Sequence, residues 1–242
     1  VPMDSDIVIE GWVDPAKSEI EGPFGDHTGY YTPMEPYPVM DVTCITTKAN
    51  PIYQATVVGK PPLEDKYMGW ATERIFLPLL QTTTPDLIDY RMPENGVFHN
   101  LIIAKMHTLY PGHAKQFMHA FWGVGQMSFV KHAFFVNEDA PALDHYDDLS
   151  DYILDRVSVD NILISEGVCD ALDHASPNAC YGGKLGVDCT ADNVSFCKKK
   201  ILQDAQLYDI ISGKVDEVVG LHQYKTHTKT PITVLAVNKK RD

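Results

Sequence analysis

Cysteine is scarce in this sequence, and its placement excludes two common uses. The 242 residues include five cysteines, an odd number, and no two of them form a CxxC pair. This pattern provides neither a disulfide framework nor a zinc ribbon. We therefore expect a reducing, cytoplasmic setting.

Positive charge is also in short supply. Lys and Arg number 20 against 33 Asp and Glu, which gives a formal net charge of −13 at pH 7. Such a surplus of negative charge repels nucleic-acid phosphates and anionic lipid headgroups. A small molecule or another protein is therefore the expected partner, and nucleic acid is not.

Long apolar runs are missing as well. The longest, such as residues 97–104, are broken by polar side chains and fall short of the ~20 residues that a membrane helix needs. We therefore expect no integral membrane protein. The chain starts without Met, and residues 1–6 are polar rather than signal-like, so we expect a piece of a longer protein.

The first quarter of the chain is rich in β-branched residues and turn formers. Residues 7–13, 39–47 and 52–58 are predicted as antiparallel strands, because Gly, Pro and Asn separate them. From residue 64 to 80 the apolar positions recur at helical spacing instead: Met68, Ala71, Ile75 and Leu79. The change of period predicts a boundary near residue 62, between domains at 1–62 and 63–242.

Strand and helix signals alternate in the second domain. The predicted strands are residues 97–106, 132–136, 162–165 and 231–237. The predicted helices are residues 114–123, 148–157 and 193–219. This alternation is typical of a mixed α/β layer domain with a mostly parallel sheet.

Two carboxylates, Glu21 and Asp26, lie at the ends of a Gly-Pro-Phe-Gly stretch. Glycine and proline favour a tight reversal, across which the two side chains can approach one another. Close carboxylates do not titrate independently, so one can hold a proton while the other is ionised. This arrangement indicates a proton-transfer site, although the spacing alone favours solvated loop acids.

The complete run at residues 21–31, EGPFGDHTGYY, resembles the active-site loop of the UbiD family of decarboxylases, the 3-polyprenyl-4-hydroxybenzoate carboxy-lyases and their relatives. Further blocks are similar to signatures of the same family. They are DVTCIT at 41–46, NPIY at 50–53, GKPPLED at 59–65, GHAK at 112–115, DHAS at 173–176 and GKLGVDCT at 183–190. The resemblance extends, in order, over most of residues 4–190.

The resemblance implies a non-oxidative, reversible decarboxylation of a small aromatic or α,β-unsaturated acid on prenylated FMN. It implies that Asp26 is the proton donor, that Glu21 is the second acid, and that Lys184 approaches the cofactor. A surface lysine is the alternative interpretation of Lys184. Loss of carbon dioxide leaves electron density that a cofactor absorbs and a proton quenches, which suits a carboxylic acid.

The family pattern also contains parts that this chain lacks. A catalytic arginine and the ligands of a divalent metal, Mn or Mg, precede the acidic loop in the family, and these positions would lie before Val1. None of the four arginines here matches the catalytic one, and no metal ligand is assigned. The resemblance thus implies that residues 1–62 complete a split flavin-binding barrel and that the carboxyl-terminal domain forms a homo-oligomer.

Alternatives of other classes stay open. The chain acts in ubiquinone or menaquinone synthesis as part of an enzyme, or it is a non-catalytic assembly module that is inactive alone. A hydrolase has no GxSxG motif to support it. The histidine pairs His113 with His119 and His222 with His227 lack the spacing of a helical zinc site, so we expect surface or core histidines.

Overall fold

The computed structural model describes residues 1–191 and 201–239, and it begins with a long antiparallel ribbon. Strand β1 (Ile7–Glu21) pairs with β2 (Glu35–Thr47) from one end to the other, with register shifts after Glu10 and after Val13. The strands predicted at 7–13 and 39–47 are confirmed and are longer than expected. The strand predicted at 52–58 is wrong, because these residues are irregular and join no ladder among the described strands. β-Branched residues favour extended backbone, but a strand also needs a paired neighbour.

The ribbon exposes apolar side chains. Those that are more than two-fifths exposed include Ile9, Trp12, Val13, Ile20, Tyr37, Met40, Val42 and Ile45. An apolar surface of this extent is typical of one that another structure covers. The assignment of these strands to a split barrel stays a prediction.

In the described part of the chain, five strands form the main sheet, in the order β3-β4-β5-β7-β6. They are β3 (Leu87–Arg91), β4 (Leu101–Met106), β5 (His132–Asn137), β6 (Ile162–Val168) and β7 (Tyr181–Cys189). The three central strands are parallel, and each edge strand is antiparallel to its neighbour. The mixed α/β class with a mostly parallel central sheet is confirmed.

Within residues 1–191 and 201–239, four helices and a hairpin accompany the sheet. They are α1 (Glu64–Gln81), α2 (His113–Trp122), α3 (Tyr146–Leu154), α4 (Asp204–Ser212) and the hairpin of β8 (Val218–Tyr224) and β9 (Ile232–Val237). The helix predicted at 193–219 is reduced to α4 among the described residues, and its first part lies outside them. None of the described helices is long and apolar enough to cross a membrane.

The core lies on both faces of the sheet because strand side chains alternate. Ile102 and Phe135 belong to a cluster that α2 covers, and their neighbours Ile103 and Val136 belong to a second cluster that includes Leu149 of α3. A two-sided core of this kind defines a layered α/β domain.

Helix α1 is confirmed, but its apolar stripe does not face the core. Met68, Ile75 and Leu79 are 60%, 69% and 62% exposed, while the buried side of the helix carries Glu73. The carboxylate of Glu73 accepts hydrogen bonds from Arg91 and from the backbone N–H of Met92. A buried ion pair therefore attaches α1 to β3, and the apolar stripe is left for another surface.

Candidate active site

The segment between β1 and β2 reverses at residues 26–29. The backbone N–H of Gly29 donates to the carbonyl of Asp26 at 3.0 Å, and Gly29 has a positive φ of 81°. Asp at the first and Gly at the fourth position are typical of a β-turn. The reversal predicted at residues 22–25 is wrong, because Gly25 still pairs with Tyr31 across the ribbon.

Asp26 begins this turn, and its side chain is only 12% exposed. The Oδ1 atom accepts a hydrogen bond from the backbone N–H of His27 at 2.7 Å and lies 2.8 Å from His27 Nδ1. No residue in the described part of the chain donates to Oδ2. One carboxylate oxygen is thus held by the protein, and the other is left for a ligand or water.

Glu21 is the exposed last residue of β1, opposite Glu35 in β2. Within residues 1–191 and 201–239, its carboxylate forms no hydrogen bond or ion pair. The structure therefore does not join Glu21 to Asp26, and the role of Glu21 as a second acid stays a prediction.

A different carboxylate lies near the turn. Asp65, in the first turn of α1, places Oδ2 3.4 Å from His27 Nε2. Burial raises the pKa of Asp65, and the charges of Glu64 and Asp26 raise it further, while His27 and His99 lower it. His27 therefore lies between two carboxylates, one of which the sequence analysis did not identify.

A second histidine–carboxylate pair adjoins the first. His99 is 3% exposed, in a short 3-10 turn before β4, and its Nε2 lies 3.2 Å from Asp170 Oδ2. The contact with His99 lowers the pKa of Asp170, and a hydrogen bond from the Leu172 N–H lowers it as well. Four separate segments thus supply one group of acids and histidines.

Lys184 lies on the central strand β7 and is 4% exposed. Its Nζ donates to the backbone carbonyls of Ser128 at 2.6 Å, Val130 at 3.1 Å and Val168 at 2.8 Å. An ammonium group has three N–H donors, so all of them have backbone partners. Burial lowers the pKa of Lys184. The alternative of a surface lysine is wrong, and the approach to a cofactor stays a prediction.

The loop between β6 and β7 connects these parts. Asp173 accepts a hydrogen bond from Lys131 Nζ at 2.6 Å and another from Ser176. Burial alone would raise the pKa of Asp173, but these hydrogen bonds hold it below its ordinary value. In the same loop, the His174 ring contacts the Tyr30 ring edge-on, with centroids 6.0 Å apart. The loop therefore reaches the turn that carries Asp26.

Histidines elsewhere lie in pairs with carboxylates. His222 contacts Asp204 and His227 contacts Asp151, each within 3 Å. The described residues contain no group of three side chains that could hold a metal ion.

Comparison with known proteins identifies the family. The Rift-related domain of UbiD, a 3-octaprenyl-4-hydroxybenzoate carboxy-lyase, matches residues 1–61, and the C-terminal domain of the same enzyme matches residues 66–189. The chain belongs to the UbiD family. The resemblance inferred from the sequence blocks is confirmed.

Relatives of this UbiD-family chain are longer than the chain itself. A protein of Helicobacter pylori strain J99 is 64% identical over 241 residues, which are 99% of this chain and 39% of the relative. A protein of Archaeoglobus fulgidus is 45% identical over 195 residues, which are 78% of this chain and 40% of the relative. The chain thus spans about two fifths of these relatives.

Solved structures share the fold. The UbiD-class enzyme HmfF from Pelotomaculum thermopropionicum, in complex with FMN, has a TM-score of 0.66 at 24% identity over 89% of this chain and 48% of its own. The closed form of vanillic acid decarboxylase from Sedimentibacter hydroxybenzoicus has a TM-score of 0.73 at 21% identity over 90% of this chain and 46% of its own. At these identities the likeness concerns the fold alone.

Proposed function

We propose that this UbiD-family chain carries the proton donor of a longer carboxy-lyase. The enzyme removes carbon dioxide, non-oxidatively and reversibly, from a small aromatic or α,β-unsaturated acid. The observation that carries the proposal is the Asp26 carboxylate, because His27 holds Oδ1 while Oδ2 has no donor among the described residues. A carboxyl group with one fixed and one open oxygen is suited to general acid–base catalysis.

Prenylated FMN is the proposed cofactor, because HmfF has been solved with FMN and, in an evolved dimeric form, with prFMN. When bound, such a cofactor accepts the electron density released with carbon dioxide. The residues of this chain fit the acid side of its site through Asp26. They do not fit the phosphate side, because the ammonium groups of Lys131 and Lys184 already have partners. Lys131 donates to Asp173, and Lys184 donates to three backbone carbonyls. We therefore place the phosphate and Mn or Mg ligands in a preceding segment.

The chain's own contribution is a proton. Asp26 holds the proton on its open oxygen and transfers it to the carbon that has lost the carboxylate. In the reverse direction the Asp26 carboxylate takes a proton from the same carbon. Glu21 is proposed as a second acid whose charge partner, an arginine, lies in the preceding segment.

The proposed substrate is an aromatic acid of quinone synthesis, in the ubiquinone or menaquinone branch, and the proposed setting is cytoplasmic. The relatives support an aromatic acid, since one is a 3,4-dihydroxybenzoic acid decarboxylase. The exposed stripe of α1 favours self-association of the carboxyl-terminal domain. The same stripe supports the second candidate function, an assembly module that is inactive alone.

Mass spectrometry and product analysis test the proposal. The full-length protein, purified from cells that supply prenylated flavin, should release a compound of the mass of prenylated FMN. In deuterated water it should convert an aromatic acid from a panel to carbon dioxide and a product with one deuterium on the former carboxylate carbon. If it retains no flavin and releases no carbon dioxide across the panel, the proposal is wrong.

A further inference from the structure

The His27 ring lies between two carboxylates, and each of its nitrogens faces one of them. Its Nδ1 lies 2.8 Å from Asp26 Oδ1, and its Nε2 lies 3.4 Å from Asp65 Oδ2. The three side chains are 11%, 12% and 15% exposed. Water therefore reaches them poorly, and Asp65 Oδ2 has no hydrogen-bond donor among the described residues.

A neutral imidazole has one N–H and one lone pair on opposite sides of the ring. If Nδ1 carries the proton, it donates to an Asp26 carboxylate, and Nε2 faces Asp65 as the acid. If Nε2 carries the proton, it donates to an Asp65 carboxylate, and Nδ1 faces Asp26 as the acid. The two arrangements contain the same number of protons and differ in which ring nitrogen and which carboxyl group are protonated.

We propose that His27 is a positioning residue and that Asp65 is a reserve acid, which together return a proton to Asp26. This inference rests on the proposed function of Asp26. Asp65 gives its proton to His27 Nε2 while His27 Nδ1 gives its proton to Asp26 Oδ1, so the ring stays neutral. A half-turn of the Asp26 carboxyl group, whose terminal torsion is soft, presents that proton on the open side. Solvent then protonates Asp65 again. The His27 ring returns to its starting tautomer by releasing the Nε2 proton to solvent and taking a proton from solvent at Nδ1, so each turnover draws one proton from solvent.

The surroundings of Asp65 favour a reserve acid. Burial and the neighbouring carboxylates of Glu64 and Asp26 favour its protonated form, and these outweigh His27 and His99, which favour its charged form. His99 also lies 3.2 Å from Asp170 Oδ2. Asp65 therefore suits the role of the acid that faces His27 Nε2.

Kinetics of the full-length holoenzyme test the relay. His27→Asn should lower kcat by about tenfold to hundredfold while the cofactor stays bound. Asp65→Asn should move the alkaline limb of the kcat/KM profile to lower pH by about one unit. The reason is that the variant loses the negative charge of the Asp65 carboxylate, which helps the site to retain its proton. The control is His107→Asn, whose Nδ1 lies 2.8 Å from Glu138 on the exposed surface, and it should change neither quantity. A stability loss without a shifted profile would make the role structural and overturn the relay.

A second readout does not depend on decarboxylation. In full-length protein labelled with 15N-histidine and free of cofactor, the ring nitrogens of His27 report which nitrogen carries the proton, and the His27→Asn spectrum assigns them. Asp65→Asn should change these shifts, because an amide cannot exchange a proton with Nε2. Unchanged His27 shifts would overturn the relay. If the wild type lacks decarboxylase activity, the proposed function is wrong, and this comparison alone decides the relay.

Discussion

Replacing Asp26 with Asn removes the acidic proton of this side chain while preserving the shape of the turn. The amide oxygen of Asn can still accept the 2.7 Å hydrogen bond from the His27 N–H, so the free energy of unfolding should fall by no more than about 1 kcal/mol. The amide cannot supply an acidic proton. General acid catalysis is worth ~10²–10⁴-fold, which corresponds to about 3–5 kcal/mol in the activation barrier.

The assay is kcat of the full-length holoenzyme at saturating substrate, with deuterium incorporation measured on the carbon that exchanges carbon dioxide. Asp26→Asn should retain cofactor, lose ~10²–10⁴-fold in kcat and slow the exchange. The matched control is Asp204→Asn, which also faces a histidine at 2.8 Å but lies far along the chain, in α4. Glu21→Gln should lower the rate through its charge. A loss under about tenfold for Asp26→Asn, or exchange at the normal rate, would refute Asp26 as the donor.

Three further predictions concern stability and binding. Lys184→Met leaves one buried and two part-buried backbone carbonyls without the Lys184 donor, so urea unfolding should show a loss of about 2–4 kcal/mol. Weaker flavin binding at unchanged stability would instead assign Lys184 to the cofactor. The pKa of Asp170 is lowered in the folded protein, so the ionised carboxylate stabilises the fold at pH values above the ordinary Asp pKa. This stabilisation is lost as the pH falls through the folded-state pKa of Asp170. The unfolding free energy of Asp170→Asn should therefore fall less between about pH 7 and pH 3 than that of the wild type. An equal fall in both proteins would contradict the stabilising role of the Asp170 carboxylate. The 242-residue chain alone should bind prenylated FMN weakly in calorimetry, and tight binding would place the phosphate ligands within it.

Periodicity predicted the local elements well where the signal was strong. The strands at residues 7–13, 39–47 and 132–136 and the helices at 64–80 and 114–123 all appear in the structure. Each of these segments carries several β-branched or aromatic residues or a clear helical repeat, so local preference and tertiary structure agree.

The missed elements have weak local signals. Strand β7 is central to the sheet, but it contains Gly182, Gly183 and Gly186, and glycine is depleted in strands. The tertiary structure provides the reason for one of them, because a side chain at Gly186 would collide with Met118 of α2. Strand β3 is only five residues long and carries Asp89 and Arg91. Tertiary packing, rather than local strand propensity, therefore determines that these two segments form strands.

Asp26, the proposed acid donor, could be singled out from the family blocks, but its neighbours in the structure could not. His27 is adjacent to Asp26 in sequence, whereas Asp65, His99 and Asp170 come from α1, from the turn before β4 and from the loop after β6. No spacing rule connects residues that are brought together only by tertiary contacts. Within the described residues, the His27 ring contacts both Asp26 and Asp65, and the structure does not join Asp26 to Glu21. The role of Glu21 as a second acid stays a prediction.

The loop between β6 and β7 limits how this family can be recombined. The two family regions meet between residues 61 and 66, which is the natural crossover for a chimera of two relatives. The contacts from Tyr30 to His174 and from His27 to Asp65 cross that junction. A chimera that exchanges residues 1–61 alone would separate His27 from Asp65 and Tyr30 from His174, and thereby disturb the surroundings of Asp26. The turn, the start of α1 and the loop should therefore be transferred together when the substrate range of such an enzyme is engineered.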